Sequence, residues 1–318
     1  MEKPIWLVTG GAGFIGSNIV EALLKKGEKV RVLDNFSTGK KQHLAPFKNK
    51  ITLVKGDICR PADCRKAVKG VTYVLHQAAI RSVPKSMDRP TASHDANATG
   101  TLNMLLAARD AKVKRFVYAS SSSAYGDQKK FPQKTKYKPQ PISPYAVQKL
   151  TGEHYAIMFS KAMGLETVSL RYFNVFGPRQ DPESKYSAVI PSFMEAAYLG
   201  KPLDMHWDGK QSRDFTHVFD VVQANLKAAK TRQGVGETYN VANGKSHSML
   251  DLQHVIEKII GRQLERKHFP RRQGDVRKTW ADIGPTKKKL GYNPKVSFEK
   301  GLRITWDYFE STYFRKLK

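Results

Sequence analysis

The chain has 318 residues, enough to bury a substantial core and to form a large domain with a smaller lobe. Its 55 Lys and Arg against 28 Asp and Glu give a net charge of +27. That balance attracts polyanions, but the basic residues are scattered in short runs such as Lys287-Lys288-Lys289 and Arg271-Arg272, with no nucleic-acid-binding motif among them. No apolar run reaches bilayer length and no N-terminal segment joins a basic flank to an apolar core, so a cytoplasmic protein without membrane segments is expected. Cys59 and Cys64 have no second ligand pair, which argues for free thiols and against a metal site.

Trp6 to Thr9 reads as a strand that breaks into Gly10, Gly13 and Gly16 and then becomes helical, the context a dinucleotide fingerprint needs. Gly10 would let the chain turn, Gly13 would let backbone approach a pyrophosphate, and Gly16 would let helix pack on strand. The helix start offers unpaired N–H groups to the phosphates, with Phe14 and Ile15 in its first turn. A second strand, Lys29 to Asp34, ends in an acid roughly 20 residues beyond the fingerprint, where it would accept from ribose hydroxyls and repel a 2′-phosphate. NAD is therefore expected rather than NADP.

Further strand-like runs follow at Ile51–Asp57, Val71–Ala79 and Arg115–Ser120, with helical spacing over Ala96–Ala111. The alternation predicts a Rossmann-type, doubly wound parallel sheet with helices on both faces and ligands at the strand carboxyl ends. Asp57 and Ile58 would then lie beside the adenine. After a Pro- and Lys-containing loop comes a helix over about Tyr145–Met163, then a strand over Val168–Asn174, a helix over Phe219–Ala229 and a strand over Thr238–Val241. Residues 1–173 and about 212–243 are assigned to the NAD-binding domain, and about 174–211 and 244–318 to a smaller C-terminal substrate domain.

Tyr145 and Lys149, four apart, share one helix face. An ammonium there would favour the phenolate and lower the tyrosine pKa, and a serine at the strand end, within Ser120 to Ser123, could bond the same substrate hydroxyl.

At these residues the chain resembles the extended short-chain dehydrogenase/reductases, and within them the nucleotide-sugar 4-epimerases. The resemblance runs through Thr9–Gly16, Asp34–Gly39, His76–Ala79, Ser82–Ser86, Tyr145–Lys149, Arg171–Gly177, Ser212–Phe215 and Gly274–Arg277. The later segments are most similar to bacterial UDP-N-acetylglucosamine 4-epimerases. The resemblance implies Ser121 as catalytic serine, Tyr145 as base and Lys149 as its partner and a ribose contact. It implies Asn35, Ser37, Thr38 and Gly39 at the adenosine end of NAD, and Gln77, Ala78 and Ala79 along the cofactor. For the UDP-sugar it implies Arg81, Ser82, Ser122, Ser123, Asn174, Ala188, Val189, Met205, His206, Arg213, Arg272, Asp275 and Thr279. Asn174 would meet the diphosphate, Arg213 and Arg272 its charge, and Asp275 the uridine ribose. Thr279 would line the pocket beside the C2 substituent, where a small residue leaves room for an acetamido group.

The activity so implied is C4 epimerisation of UDP-hexoses through a 4-ketone, first of UDP-GlcNAc/UDP-GalNAc with UDP-Glc/UDP-Gal as a further pair, with NAD recycled, by a homodimer paired through helices near 95–111 and 145–163. A 4,6-dehydratase would need acids where Ser122 and Ser123 stand. A UDP-uronate 4-epimerase or decarboxylase remains an alternative, as does a nucleotide-sensing or nucleic-acid-binding module, though a sensor has no need of a base. Trp207 stands where relatives often have glycine and His206 where they often have an aromatic.

Overall fold

The computed structural model describes residues 3–182, 188–271 and 276–316. Strands β1 (Ile5–Thr9), β2 (Lys29–Asp34) and β3 (Ile51–Lys55) alternate with helices α1 (Phe14–Lys25) and α2 (Pro61–Val68). Then come β4 (Tyr73–His76), the short helices α3 (Val83–Asp88) and α4 (Pro90–His94), α5 (Gly100–Asp110) and β5 (Arg115–Ser121). Helix α6 (Pro144–Ala162) and β6 (Thr167–Tyr172) precede a second lobe begun by β7 (Val175–Phe176), α7 (Val189–Leu199), β8 (Leu203–His206), β9 (Ser212–Arg213) and β10 (Thr216–His217). The chain returns to the sheet with α8 (Val218–Lys230) and β11 (Glu237–Val241). It ends through β12 (His247–Ser248), α9 (Met249–Ile260), β13 (Arg266–Phe269), α10 (Gly284–Leu290) and α11 (Phe298–Thr312).

Seven strands form one parallel sheet in the order β11-β6-β5-β4-β1-β2-β3. Because both faces are covered at the middle of the sheet, the central strand β1 is apolar on both sides rather than alternating, and its Trp6, Leu7 and Val8 are all fully buried. One face packs Ile19, Val20 and Leu23 of α1 and Val221 and Ala224 of α8; the other packs Ala67 of α2, Leu105 of α5 and Phe159 of α6. The second lobe has its own core, with Phe193 of α7, Leu252 of α9 and Trp306 of α11. The strand order reverses at β1, which pairs β2 on one side and β4 on the other, so a crevice opens beyond Thr9.

Three details differ from the sequence reading. Strand β3 stops at Lys55, and Asp57 lies in the following turn, where its Oδ1 accepts from the Cys59 N–H at 2.8 Å. Helix α6 begins at Pro144 because Ser143 caps it, its hydroxyl accepting from the Ala146 N–H at 3.2 Å, and a proline at the first position forfeits no helical bond. Leu290 and Tyr292, expected in the second lobe, are buried in the core against α1 and α8.

Candidate active site

A cleft of about 1590 Å³ opens at the carboxyl ends of the sheet, lined by Gly10, Gly13, Phe14, Ile15, Gly16, Asp34, Asn35, Ser37, Thr38, Gly39, Asp57, Ile58, Gln77, Ala78 and Ala79. Helix α1 starts at the cleft with Gly13 as its N-cap and no side chain capping it, so its first N–H groups have no side-chain acceptor there. A Cβ on Gly13 would meet only the Gly10 carbonyl oxygen, at 3.1 Å, and would otherwise project into unfilled space. Asp34 is 7% exposed and fixed by two backbone donors, Ala12 N–H to Oδ2 at 2.9 Å and Phe36 N–H to Oδ1 at 2.8 Å. Burial raises its pKa, and those two bonds oppose the rise. Asn35 donates to Asp57 Oδ2 at 3.0 Å and accepts from the Ser37 N–H at 2.9 Å, joining the two strand ends that would flank an adenosine. Uncapped helix start, open cradle and strand-end carboxylate fit a dinucleotide without a 2′-phosphate.

Along β5 successive side chains face opposite ways, and this separates the serines. Ser120 is buried and donates to Glu153, whose carboxylate also takes two bonds from Arg171, at 2.8 and 2.7 Å. Ser121 faces the cleft beside the Tyr145 phenol and accepts from the Ser123 N–H at 3.2 Å. Ser122 and Ser123 also line the cleft.

Burial holds the Tyr145 phenol above its ordinary pKa; the nearby Ser121 hydroxyl and the positive field of Arg81 pull it back down. Lys149 also lines the cleft, and its Nζ donates to the Ala119 carbonyl at 2.8 Å and lies 5.1 Å from the centroid of the Tyr118 ring. Burial presses the Lys149 ammonium down to about 8, opposed by Glu153. Residues four apart thus share a helix face and both line the cleft, with Lys149 tied in addition to the neighbouring strand.

Of the expected substrate contacts, Arg81, Ser82, Asn174 and Ala188 line the cleft. Val189, Met205, His206, Arg213 and Thr279 do not, and Arg272 and Asp275 lie outside the described residues. Met205 is buried in the second-lobe core, and the Arg213 guanidinium donates to the Ser212 carbonyl at 2.9 Å. His206 stacks on Phe269 at 5.2 Å, and beside it Trp207 lies between the guanidiniums of Arg271 and Arg277, each 4.6 Å from its ring. Trp207 has φ of 60°, the left-handed geometry that glycine adopts without strain. Thr279 is turned into the junction of the lobes: its hydroxyl accepts from Asn174 Nδ2 at 2.9 Å and from the Asp214 N–H at 3.1 Å.

The sequence reading missed Lys40, Tyr172, Arg179, Gln180, Asp181 and Glu195, which also line the cleft. Residues 178–182 cross from the second lobe to the sheet lobe, where several side chains hold them. Asn18 Nδ2 donates to the Pro178 carbonyl at 3.0 Å, Arg179 pairs with Glu21 at 2.5 Å and Lys40 pairs with Asp181 at 2.9 Å. The only signal in the chain was Gly177-Pro178 ending the preceding strand; the partners are more than 100 residues away.

His76 is buried between Thr9 and Thr101, at 2.8 and 3.2 Å, and burial drives its pKa to about 3, so it is a neutral structural imidazole. Cys59 borders the cleft and Cys64 is buried; burial pushes both thiols up to about 12. Among the described residues no group of His, Cys, Asp and Glu could hold a metal ion, and no helix is long and apolar enough to cross a membrane.

Residues 6–242 match the NAD dependent epimerase/dehydratase family, and the chain belongs to that family. Over 310 residues it is 35% identical to a UDP-glucose 4-epimerase of Mycolicibacterium smegmatis, covering 96% of this chain and 98% of the relative. Its fold matches a UDP-N-acetylglucosamine 4-epimerase from Methanobrevibacter ruminantium in complex with UDP-N-acetylmuramic acid, with a TM-score of 0.93 and 38% identity over 98% of this chain and 99% of that one. A UDP-glucuronic acid 4-epimerase from Bacillus cereus in complex with UDP-glucuronic acid and NAD aligns with a TM-score of 0.89 and 32% identity, covering 97% of this chain and 100% of that one.

Proposed function

We propose that this protein is an NAD-dependent UDP-hexose 4-epimerase whose principal pair is UDP-GlcNAc and UDP-GalNAc, with UDP-glucose and UDP-galactose as further substrates. The observation that carries the reading is the Tyr145 phenol beside Ser121 in the same cleft as the Gly13 and Asp34 cradle. Tyr145 as phenolate takes the proton of the C4 hydroxyl while Ser121 orients that hydroxyl, and the same phenol returns the proton after the keto-sugar has turned over. When bound, NAD would supply a reversible hydride acceptor for the C4 hydrogen. Lys149, fixed to the strand at Ala119, offers its ammonium to a cofactor ribose, and Asp34 accepts from the adenosine ribose hydroxyls. Arg213, Arg272 and Asp275 are assigned to the UDP, which stays anchored while the sugar rotates.

Ser122 and Ser123 lack the acidity that a 4,6-elimination requires, which argues against a dehydratase. A UDP-uronate is the second reading, favoured by the exposed cation Arg81 in the cleft. Homodimerisation through α6 is supported by Val147 and Met158, 49% and 38% exposed on one helix face. The deciding experiment incubates the purified, NAD-loaded protein with UDP-GlcNAc, UDP-glucose and UDP-glucuronate and identifies products by NMR. Conversion of UDP-GlcNAc to UDP-GalNAc is expected. Turnover of UDP-glucuronate alone would favour the second reading, and conversion of none would overturn the assignment.

A further inference from the structure

We infer that Thr279 acts through its hydroxyl, as a positioning residue that holds the Asn174 amide with its oxygen left for the ligand. The inference rests on reading the cleft as a UDP-hexose site. A residue needed only for its small size would require no hydroxyl, and Thr279 is itself 8% exposed and does not line the cleft. Its backbone N–H is tied to the Ser212 carbonyl at 3.0 Å, and its Oγ1 accepts both Asn174 Nδ2 and the Asp214 N–H.

Asn174 Nδ2 also donates to the Asp214 carbonyl oxygen at 3.3 Å. A carbonyl can only accept, so this contact settles which end of the amide is nitrogen, and Nδ2 has two hydrogens with two acceptors for them. What Asn174 retains for a ligand is Oδ1, an acceptor, suited to a hydroxyl or N–H of the substrate rather than to a phosphate oxygen. The scaffold behind the pair is rigid. Asn174 is held at φ of 31°, and its carbonyl accepts from the Thr216 N–H at 3.3 Å. Asp214 is fully buried, and its carboxylate takes the N–H groups of Asn243, Gly244 and Ala281 at 2.9 to 3.2 Å. With the Thr279 hydroxyl removed, the amide keeps only the 3.3 Å tether to the Asp214 carbonyl, so it is held less firmly in the orientation that carbonyl dictates and part of the population turns away from the ligand.

The test uses NAD-loaded Tyr145→Phe protein, which binds without turning over, and measures UDP-GlcNAc and UDP-glucose affinity by calorimetry. Thr279→Ser, which keeps the oxygen, should bind within about twofold of the parent; Thr279→Val, which keeps the shape, should bind roughly three- to tenfold more weakly, the range of one hydrogen bond. In an Asn174→Ala background Thr279→Val should have no further effect, because the group it positions is gone. Equal affinity of the valine and parent proteins, or additive losses in the double variant, would overturn the inference. Melting temperature and bound NAD report whether the valine variant is folded; if it is not, Thr279→Ala makes the same comparison without a methyl against the Asp214 N–H. Failure of the Tyr145→Phe parent to bind either UDP-hexose would instead overturn the functional reading, and this inference with it.

Discussion

Gly13 and Gly16 lie one helical turn apart at the same strand-to-helix junction, yet replacing each by alanine should fail in a different way. A Cβ on Gly16 would sit 2.2 Å from the Gly10 carbonyl oxygen and 2.8 Å from the Gly11 Cα. Both are backbone atoms, and the first contact is about 1 Å inside van der Waals distance, so helix α1 must shift off its strand. Overpacking of that kind costs about 1–3 kcal/mol, and more where no side chain can yield. Gly13 has φ of −78° and ψ of 176°, a conformation any residue adopts, and its Cβ would meet only the Gly10 oxygen at 3.1 Å. Alanine there should cost the cofactor-free fold about 1 kcal/mol or less, but its methyl occupies the space through which a pyrophosphate reaches the helix N–H groups. Each tenfold loss of NAD affinity removes about 1.4 kcal/mol of cofactor-linked stability at saturating NAD. The assay is thermal melting of NAD-stripped and NAD-saturated protein, with bound nucleotide measured after denaturation. Gly16→Ala should melt several degrees lower in both states. Gly13→Ala should melt like the stripped wild type in both and release little NAD. A Gly13→Ala protein carrying a full complement of NAD would refute the cradle assignment.

Tyr145→Phe should lower kcat by several hundredfold or more while leaving bound NAD unchanged, since only the proton-transferring group is lost; wild-type turnover would refute its role as base. Asp181→Asn and Glu21→Gln each cut one partly buried ion pair holding residues 178–182 across the cleft, and each should speed NAD release up to about fivefold, measured by exchange against labelled NAD. Unchanged release rates would show that the segment does not restrain the cofactor. Lys149 is depressed to about 8 from 10.5, so the unfolded chain binds its proton more tightly. Its burial therefore destabilises the fold at neutral pH, and the penalty is relieved as pH rises from about 8 towards 10.5. Lys149→Met should raise the melting temperature of the NAD-free protein at pH 7 while losing activity and NAD affinity; a lower melting temperature would contradict the sign.

Local chemistry was enough to read the cofactor end. The fingerprint, the strand-end Asp34 and the alternation of apolar runs with helical spacing are short-range patterns, and they dictate a parallel sheet with ligands at its carboxyl ends. The catalytic region was legible only in part. Four serines in a row carry no sequence signal to separate them, and it took burial of Ser120 against Glu153 and Arg171 to turn Ser121 towards Tyr145. The Tyr145–Lys149 spacing correctly placed two residues on one helix face. It could not reveal that burial dominates both titrations or that Lys149 bonds to a strand carbonyl.

The sequence by itself determined the Rossmann architecture, the NAD-type cradle and the family, because each depends on residue types at fixed short spacings. Only the tertiary structure decided how the second lobe meets the first. Lys40 finds Asp181, Glu21 finds Arg179, Asn174 finds Thr279 and Leu290 joins the core against α1 and α8. The three polar pairings span more than 100 residues and the apolar one at least 60, where one-dimensional spacing carries no information, and they exist because the packed lobes bring distant donors within about 3 Å of their acceptors and distant side chains into one core.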